Sequence, residues 1–96
     1  MKTIIEERKE YVDKLLDFLS KYFEVDKELI LSSRAEEYVE VRYLLIQYLC
    51  SKYSDREVAK ITDLTKSGVN TIKNKLDKKE SLRELYNSLI KRLESI

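Results

Sequence analysis

The fold of this chain is decided by Ser54–Lys79, SDREVAKITDLTKSGVNTIKNKLDKK, which divides into two short helical patterns. Ser54 with Glu57 three residues later forms a predicted capping box, in which each side chain binds the other residue's backbone N–H, so a helix begins here. Two turns with one apolar side follow, and Asp63-Leu64-Thr65 then breaks the register, with Thr65 placed to cap a second helix. Two helices that meet at a tight corner at 62–65 are the outline of a helix-turn-helix.

The second helix has one apolar side and one polar side. Val69, Ile72 and Leu76 recur at i, i+3 and i+7, which predicts a buried face. The opposite face carries short amides and hydroxyls bordered by lysines: Ser67, Asn70, Thr71, Asn74 and Lys78, flanked by Lys66 and Lys73. Asn can pair with the edge of adenine, Ser and Thr can bond several base edges, and Lys can contact phosphate or guanine. The side chains therefore fit a major groove of duplex DNA; the alternative is a solvated helix face without a ligand.

Gly68 stands in the first turn of this second helix, where glycine costs about 0.5 to 1 kcal/mol relative to alanine. Its presence suggests that the backbone approaches DNA or a neighbouring helix closely at this point.

The charge of the chain is unevenly distributed. The net charge of the whole chain is only +1, from 19 basic and 18 acidic residues. Met1–Tyr48 holds 8 basic and 11 acidic residues, whereas Leu49–Ile96 holds 11 basic and 7 acidic ones. Thr65–Lys79 alone has five lysines and one acid, and such a local basic field would hold a polyanion at one place. Lysines also suit the dipole at a helix C-terminus, which is the alternative explanation.

Composition limits the class of protein. A chain of 96 residues with no Pro, one Gly, 43% apolar and 39% charged residues predicts one all-α domain of five to six helices. There is no apolar run near 18 residues and no signal peptide, so we expect a soluble, cytoplasmic protein without a membrane partner. The absence of His removes the commonest member of catalytic triads and zinc sites, and one Gly excludes a glycine-rich phosphate loop. We therefore expect no enzyme, no metal, no cofactor and no nucleotide, with Cys50 a buried structural thiol.

The remaining helices build the support for the motif. Apolar spacing predicts a long first helix over Thr3–Phe23, a short one over Lys27–Leu31, a central one from about Ala35 to Lys52, and a last one to about Ser95. The last helix is expected to open with a second capping box, Ser81-Leu-Arg-Glu84. The domain thus comprises an N-terminal helix (1–23) and a region (24–96) that contains the helix-turn-helix (54–79).

The order of these elements resembles the C-terminal DNA-binding domain of the bacterial replication initiator DnaA, within the Trp repressor-like fold group, from about Phe23 to Leu93. Phe23–Arg34, FEVDKELILSSR, is similar to the segment whose basic loop reaches the minor groove, so the resemblance gives that role to Arg34. It places Arg42 at the family's phosphate-binding arginine. Thr65-Lys66-Ser67-Gly68-Val69 lies over the Asp-His-Ser-Thr-Val signature, part of which reads bases.

The chain departs from that family in ways that affect function. Lys66 replaces the signature His, Gly68 replaces the second hydroxyl residue, and Asp63-Leu64 replaces a glycine pair. The ATPase domain of an initiator is absent from this sequence. We therefore expect a double-stranded DNA-binding protein, a small regulator of transcription or a replication-associated protein without ATPase activity. Two alternatives stay open: a helical protein-interaction module that docks through the first helix, and a ligand-gated regulator of the Trp repressor type.

Overall fold

The computed structural model describes residues 2–76 and 80–96 and consists of helices joined by short connections. The α-helices are α1 (Ile4–Phe23), α2 (Glu36–Lys52), α3 (Asp55–Thr62), α4 (Lys66–Leu76) and α5 (Glu80–Glu94). A 3₁₀ turn, Lys27–Leu29, connects α1 to α2. There is no strand in the described ranges, so the predicted all-α class is confirmed.

Helix α2 forms the centre of the molecule, because it is apolar most of the way round and each of the other four helices packs against it. Seven of its side chains are buried: Val41, Tyr43, Leu44, Leu45, Ile46, Tyr48 and Leu49. Replacing a buried Leu such as Leu45 with Ala would lower the free energy of unfolding by roughly 2 to 5 kcal/mol. The packing of α2 therefore holds the other four helices in place.

Helix α1 lies against α2 and α3 through Val12, Leu15 and Leu19. Its start is fixed by a capping box between Thr3 and Glu6, and its end by Glu24, whose φ of 55° is left-handed. None of the helices in the described ranges is long and apolar enough to cross a membrane.

Several predicted helix ends differ from those observed. The short second helix is a single 3₁₀ turn, and α2 begins at Glu36 after the N-cap residue Ala35, whose N–H donates to the Ser33 hydroxyl. Ser81 lies inside α5, one residue after Glu80, so the capping box predicted at Ser81 is wrong. A Ser three positions before a Glu acts as an N-cap only where its own backbone is not helical. Here the residue before it, Glu80, already belongs to α5, so Ser81 has a helical backbone.

Candidate nucleic-acid interface

The corner between α3 and α4 forms where the sequence predicts it. Asp63 ends α3 in a left-handed conformation with φ 61°, and the Thr65 hydroxyl accepts a hydrogen bond of 2.9 Å from the Gly68 N–H. The buried hydroxyl of Thr62 donates to the Val58 carbonyl at 2.6 Å, which satisfies the last polar side chain of α3. The corner is therefore fixed by local hydrogen bonds, with Thr65 as the cap of α4.

Helix α3 itself begins with only half of the predicted capping box. The Ser54 hydroxyl accepts from the Glu57 N–H at 3.3 Å, as expected. The Glu57 carboxylate does not return to the backbone but pairs with the Arg8 guanidinium at 2.7 Å. That ion pair joins α3 to α1, which is one reason why the two helices lie together.

Helix α4 presents its predicted polar face to solvent. Val69 is fully buried and Ile72 is partly buried against the core, which orients the helix. Ser67, Asn70, Thr71 and Asn74 are all exposed. The Thr71 hydroxyl donates to the Ser67 carbonyl at 2.9 Å, whereas the Asn70 and Asn74 amides make no hydrogen bond to any described residue. Both amides are thus available to an external ligand.

Gly68 has an explanation within its own turn. A Cβ at this position would lie 3.0 Å from the Thr65 Oγ1, the atom that caps the helix, and would contact no neighbouring helix among the described residues. The absence of a side chain leaves room for the cap. A close approach to another helix, which the sequence suggested as one reason for this glycine, is not observed, and an approach to DNA stays a prediction.

The three predicted lysine contacts have different surroundings. Lys66 is exposed at the first position of α4. The Lys73 ammonium lies 3.4 Å from an Asp55 carboxylate oxygen and is therefore occupied by an acid of α3. Lys78 and the side chain of Leu76 lie outside what the structure describes. Of the three lysines, Lys66 is the one that the structure leaves accessible and unpaired within the described part of the chain.

The two arginines assigned by resemblance lie at the connection before α2. Arg42 is partly buried, and its Nε donates to the Ile30 carbonyl at 2.8 Å while one terminal nitrogen donates to the Ser33 carbonyl. Burial lowers the pKa of the Arg42 guanidinium. Arg34 directly follows Ser33, whose carbonyl Arg42 binds; it is exposed and makes no ion pair with a described residue. Arg42 thus fixes the loop that presents Arg34.

Two open depressions adjoin the corner, and Asp63 and Leu64 line both. The first is a cleft of about 640 Å³ between α2 and α4; its lining includes Arg42, Ser67 and Lys75. The second, of about 540 Å³, is lined by Arg56, Lys60 and Lys66, and also by Ile5 of α1.

Sequence reasoning missed Arg56 and Lys60, although a signal was present. They stand four residues apart on α3, so they lie on one face of a helix as a like-charged pair. In the described part of the chain neither has an acidic partner. The two residues extend the accessible basic surface from α4 onto α3.

The sequence predicts a buried structural thiol at Cys50. It is partly buried, and burial together with the nearby Asp55 carboxylate raises its pKa to about 11. Such a thiol is almost fully protonated at neutral pH and is a poor nucleophile. Within the described residues there is also no group of three or more acids and cysteines that could hold a metal ion.

Comparisons with family models, with curated proteins and with solved structures gave no match for this chain. The similarity to the DnaA C-terminal domain therefore rests on the residues and the order of elements described above.

Proposed function

We propose that this protein binds double-stranded DNA, with α4 in the major groove, as a small regulator or a replication-associated protein without ATPase activity. The observation that carries the proposal is the outer face of α4, where two asparagine amides are exposed and unbonded among the described residues. An asparagine amide offers one donor and one acceptor side by side, which matches the N6 and N7 edge of adenine.

The surroundings of that face support the same ligand. Lys66 at the start of α4 and Arg34 on the loop before α2 are exposed cations without a described ion-pair partner. Arg42 holds the loop by two hydrogen bonds, so Arg34 is presented from a fixed support. A positioned arginine of this kind suits a narrow minor groove beside the major groove that α4 would read.

A ligand-gated regulator is the second candidate, because the cleft between α2 and α4 has the volume of a small-molecule site. Ser67, Thr71 and Lys75 line this cleft and also belong to α4. A ligand in the cleft would therefore act on DNA binding directly, and a compound that raises the melting temperature should also change duplex affinity.

The third class, a protein-interaction module that docks through α1, has less support. Ile4 and Tyr22 are 66% and 41% exposed but stand 18 residues apart, about 27 Å along the helix. Tyr22 also packs against Phe18 and lies beneath the Arg92 guanidinium, 5.5 Å from its ring centroid. The exposed apolar side chains of α1 thus lie at its two ends and do not form one patch.

Selection of bound duplexes from a random pool, followed by titrations of two variants, tests the proposal. Asn70→Ala and Asn74→Ala should each weaken binding to the selected site by roughly 1 to 3 kcal/mol and weaken binding to unrelated DNA much less. Asn87→Ala is the matched control, because Asn87 is an exposed asparagine on α5. The proposal fails if no duplex is enriched, or if the α4 variants lose the same affinity on every duplex.

A further inference from the structure

The depression beside the corner is lined by three cations that have no ion-pair partner among the described residues, although the acid Asp63 also lines it. Arg56 and Lys60 are one turn apart on α3, and Lys66 is the first residue of α4. All three line the same depression and are exposed. A like-charged pair at i, i+4 destabilises a helix, so nothing in the stability of α3 accounts for this placement.

The acids of this region are already paired with other cations. Asp55 is 3.4 Å from the Lys73 ammonium, and Glu57 is 2.7 Å from the Arg8 guanidinium. Asp63, which lines the depression, is 3.6 Å from the ammonium of Lys9. These three carboxylates are thus paired with cations of α1 and α4. They do not neutralise the positive charges of Arg56, Lys60 and Lys66.

The dipole of α4 adds to that field. Lys66 is in the first turn of α4, where unpaired backbone N–H groups already make the helix end positive. The first turn of α3, which contains Arg56, also contains the acids Asp55 and Glu57. Acids usually stabilise such positions, yet α4 has none in its first turn. An external anion at this surface would meet three side-chain charges and the positive N-terminal end of α4.

We infer that Arg56 and Lys60, together with Lys66, bind phosphate groups of the DNA backbone at the edge of the groove that α4 occupies. This inference rests on the proposed function and adds α3 to the contact surface. The ligand class is the phosphodiester backbone rather than the bases, because Arg56 and Lys60 are on the helix that precedes α4 and beside its first residue. In a helix-turn-helix, the helix before the recognition helix crosses the backbone.

The experiment measures duplex affinity at several salt concentrations for the full chain and for Arg56→Ala/Lys60→Ala. Each phosphate contact adds about 0.9 to the slope of log affinity against log salt, so the double variant should lose about 1.8 from that slope. Between about 50 and 200 mM salt, the wild-type affinity should therefore fall roughly twelvefold more than that of the variant. The loss should be the same on the preferred duplex and on unrelated DNA.

Two further variants separate charge from structure. Arg56→Lys/Lys60→Arg should keep the wild-type slope, because it preserves both charges. Lys21→Ala should also keep it: Lys21 is exposed near the far end of α1, 16 residues beyond Ile5, or about 24 Å along the helix. Thermal melting should show no loss of stability in the double alanine variant, since a repulsive pair has been removed.

An unchanged salt slope in Arg56→Ala/Lys60→Ala, with wild-type binding and base selectivity intact, would overturn this inference alone. A fall in slope of the same size in Lys21→Ala would also overturn it, because the effect would then be one of net charge. Failure of the wild-type chain to bind any duplex would overturn the proposed function as well.

Discussion

Replacing Arg42 tests whether this residue supports the loop or contacts DNA. The structure gives its guanidinium two carbonyl partners, Ile30 and Ser33, which join the centre of the fold to the segment before α2. Arg42→Met keeps most of the aliphatic stem and removes both bonds. Hydrogen bonds from a charged donor contribute about 1.5 to 3 kcal/mol each when well buried. Arg42 is only partly buried and the freed carbonyls can bind water, so about 1 kcal/mol per bond, or about 2 kcal/mol in total, is the expected loss.

That loss corresponds to a fall of roughly 8 to 16 °C in melting temperature for a domain of this size. Urea unfolding followed by circular dichroism measures it, with the same change at Arg83, an exposed arginine of α5, as the control.

Arg42→Lys distinguishes the two roles more sharply, because it keeps the charge but not the planar pair of donors. Loop support predicts that this variant loses about 1 kcal/mol or more of stability while its salt slope stays near the wild-type value. A phosphate contact, the role implied by the family resemblance, predicts for Arg42→Lys a salt slope near the wild-type value and an unchanged free energy of unfolding. The reasoning from the structure is refuted if Arg42→Met unfolds within about 0.5 kcal/mol of wild type and its salt slope falls by about one.

The other predictions concern the loop arginine, the α4 cap and the thiol. Arg34→Ala should weaken binding selectively to sites with an A/T-rich flank, as titrations on two duplexes that differ only in the flank would show; an equal loss on both would exclude a minor-groove role. Gly68→Ala should gain its full helix propensity, about 0.5 to 1 kcal/mol, only in a Thr65→Ala background, where the cap oxygen 3.0 Å from the new Cβ is absent. Additive unfolding free energies in that double-mutant cycle would rule out the crowding. Cys50, with a pKa raised to about 11, should react with iodoacetamide at pH 8 on the order of a hundredfold more slowly than an ordinary thiol. An alkylation rate equal to that of free cysteine would contradict the raised pKa. Because the folded pKa of Cys50 is above its unfolded pKa, its contribution to the free energy of unfolding is constant below about pH 9 and decreases as the pH rises toward 11.

Much of the fold could be predicted from the sequence because its signals are local. The apolar spacing of α1 and α2 and the broken register at 62–65 each depend on residues within a few positions of one another. Thr65 caps α4 as predicted, since a hydroxyl and an amide three residues apart meet whenever the chain turns into a helix. The error at Ser81 has the same origin, because the pattern does not reveal whether the helix has already begun.

The surroundings of the long charged side chains were decided only by the tertiary structure. Glu57 forms an ion pair with Arg8, 49 residues away in the chain, instead of binding the predicted backbone N–H. Lys73 forms an ion pair with Asp55 of the preceding helix. Arg42 binds carbonyls of a loop that folds against α2. A flexible side chain can reach several partners, and only the packing of helices determines which acid or carbonyl is within reach.

The sequence by itself determined the helices, the corner and the polar outer face of α4, because hydrophobic periodicity and caps act within one or two turns. The tertiary structure decided which cations stay free: it pairs Lys73 internally and leaves Arg56 and Lys60 beside Lys66 without an acidic partner in the described ranges. The physical reason is that charge pairing depends on distances of a few ångströms between elements that are far apart in the chain.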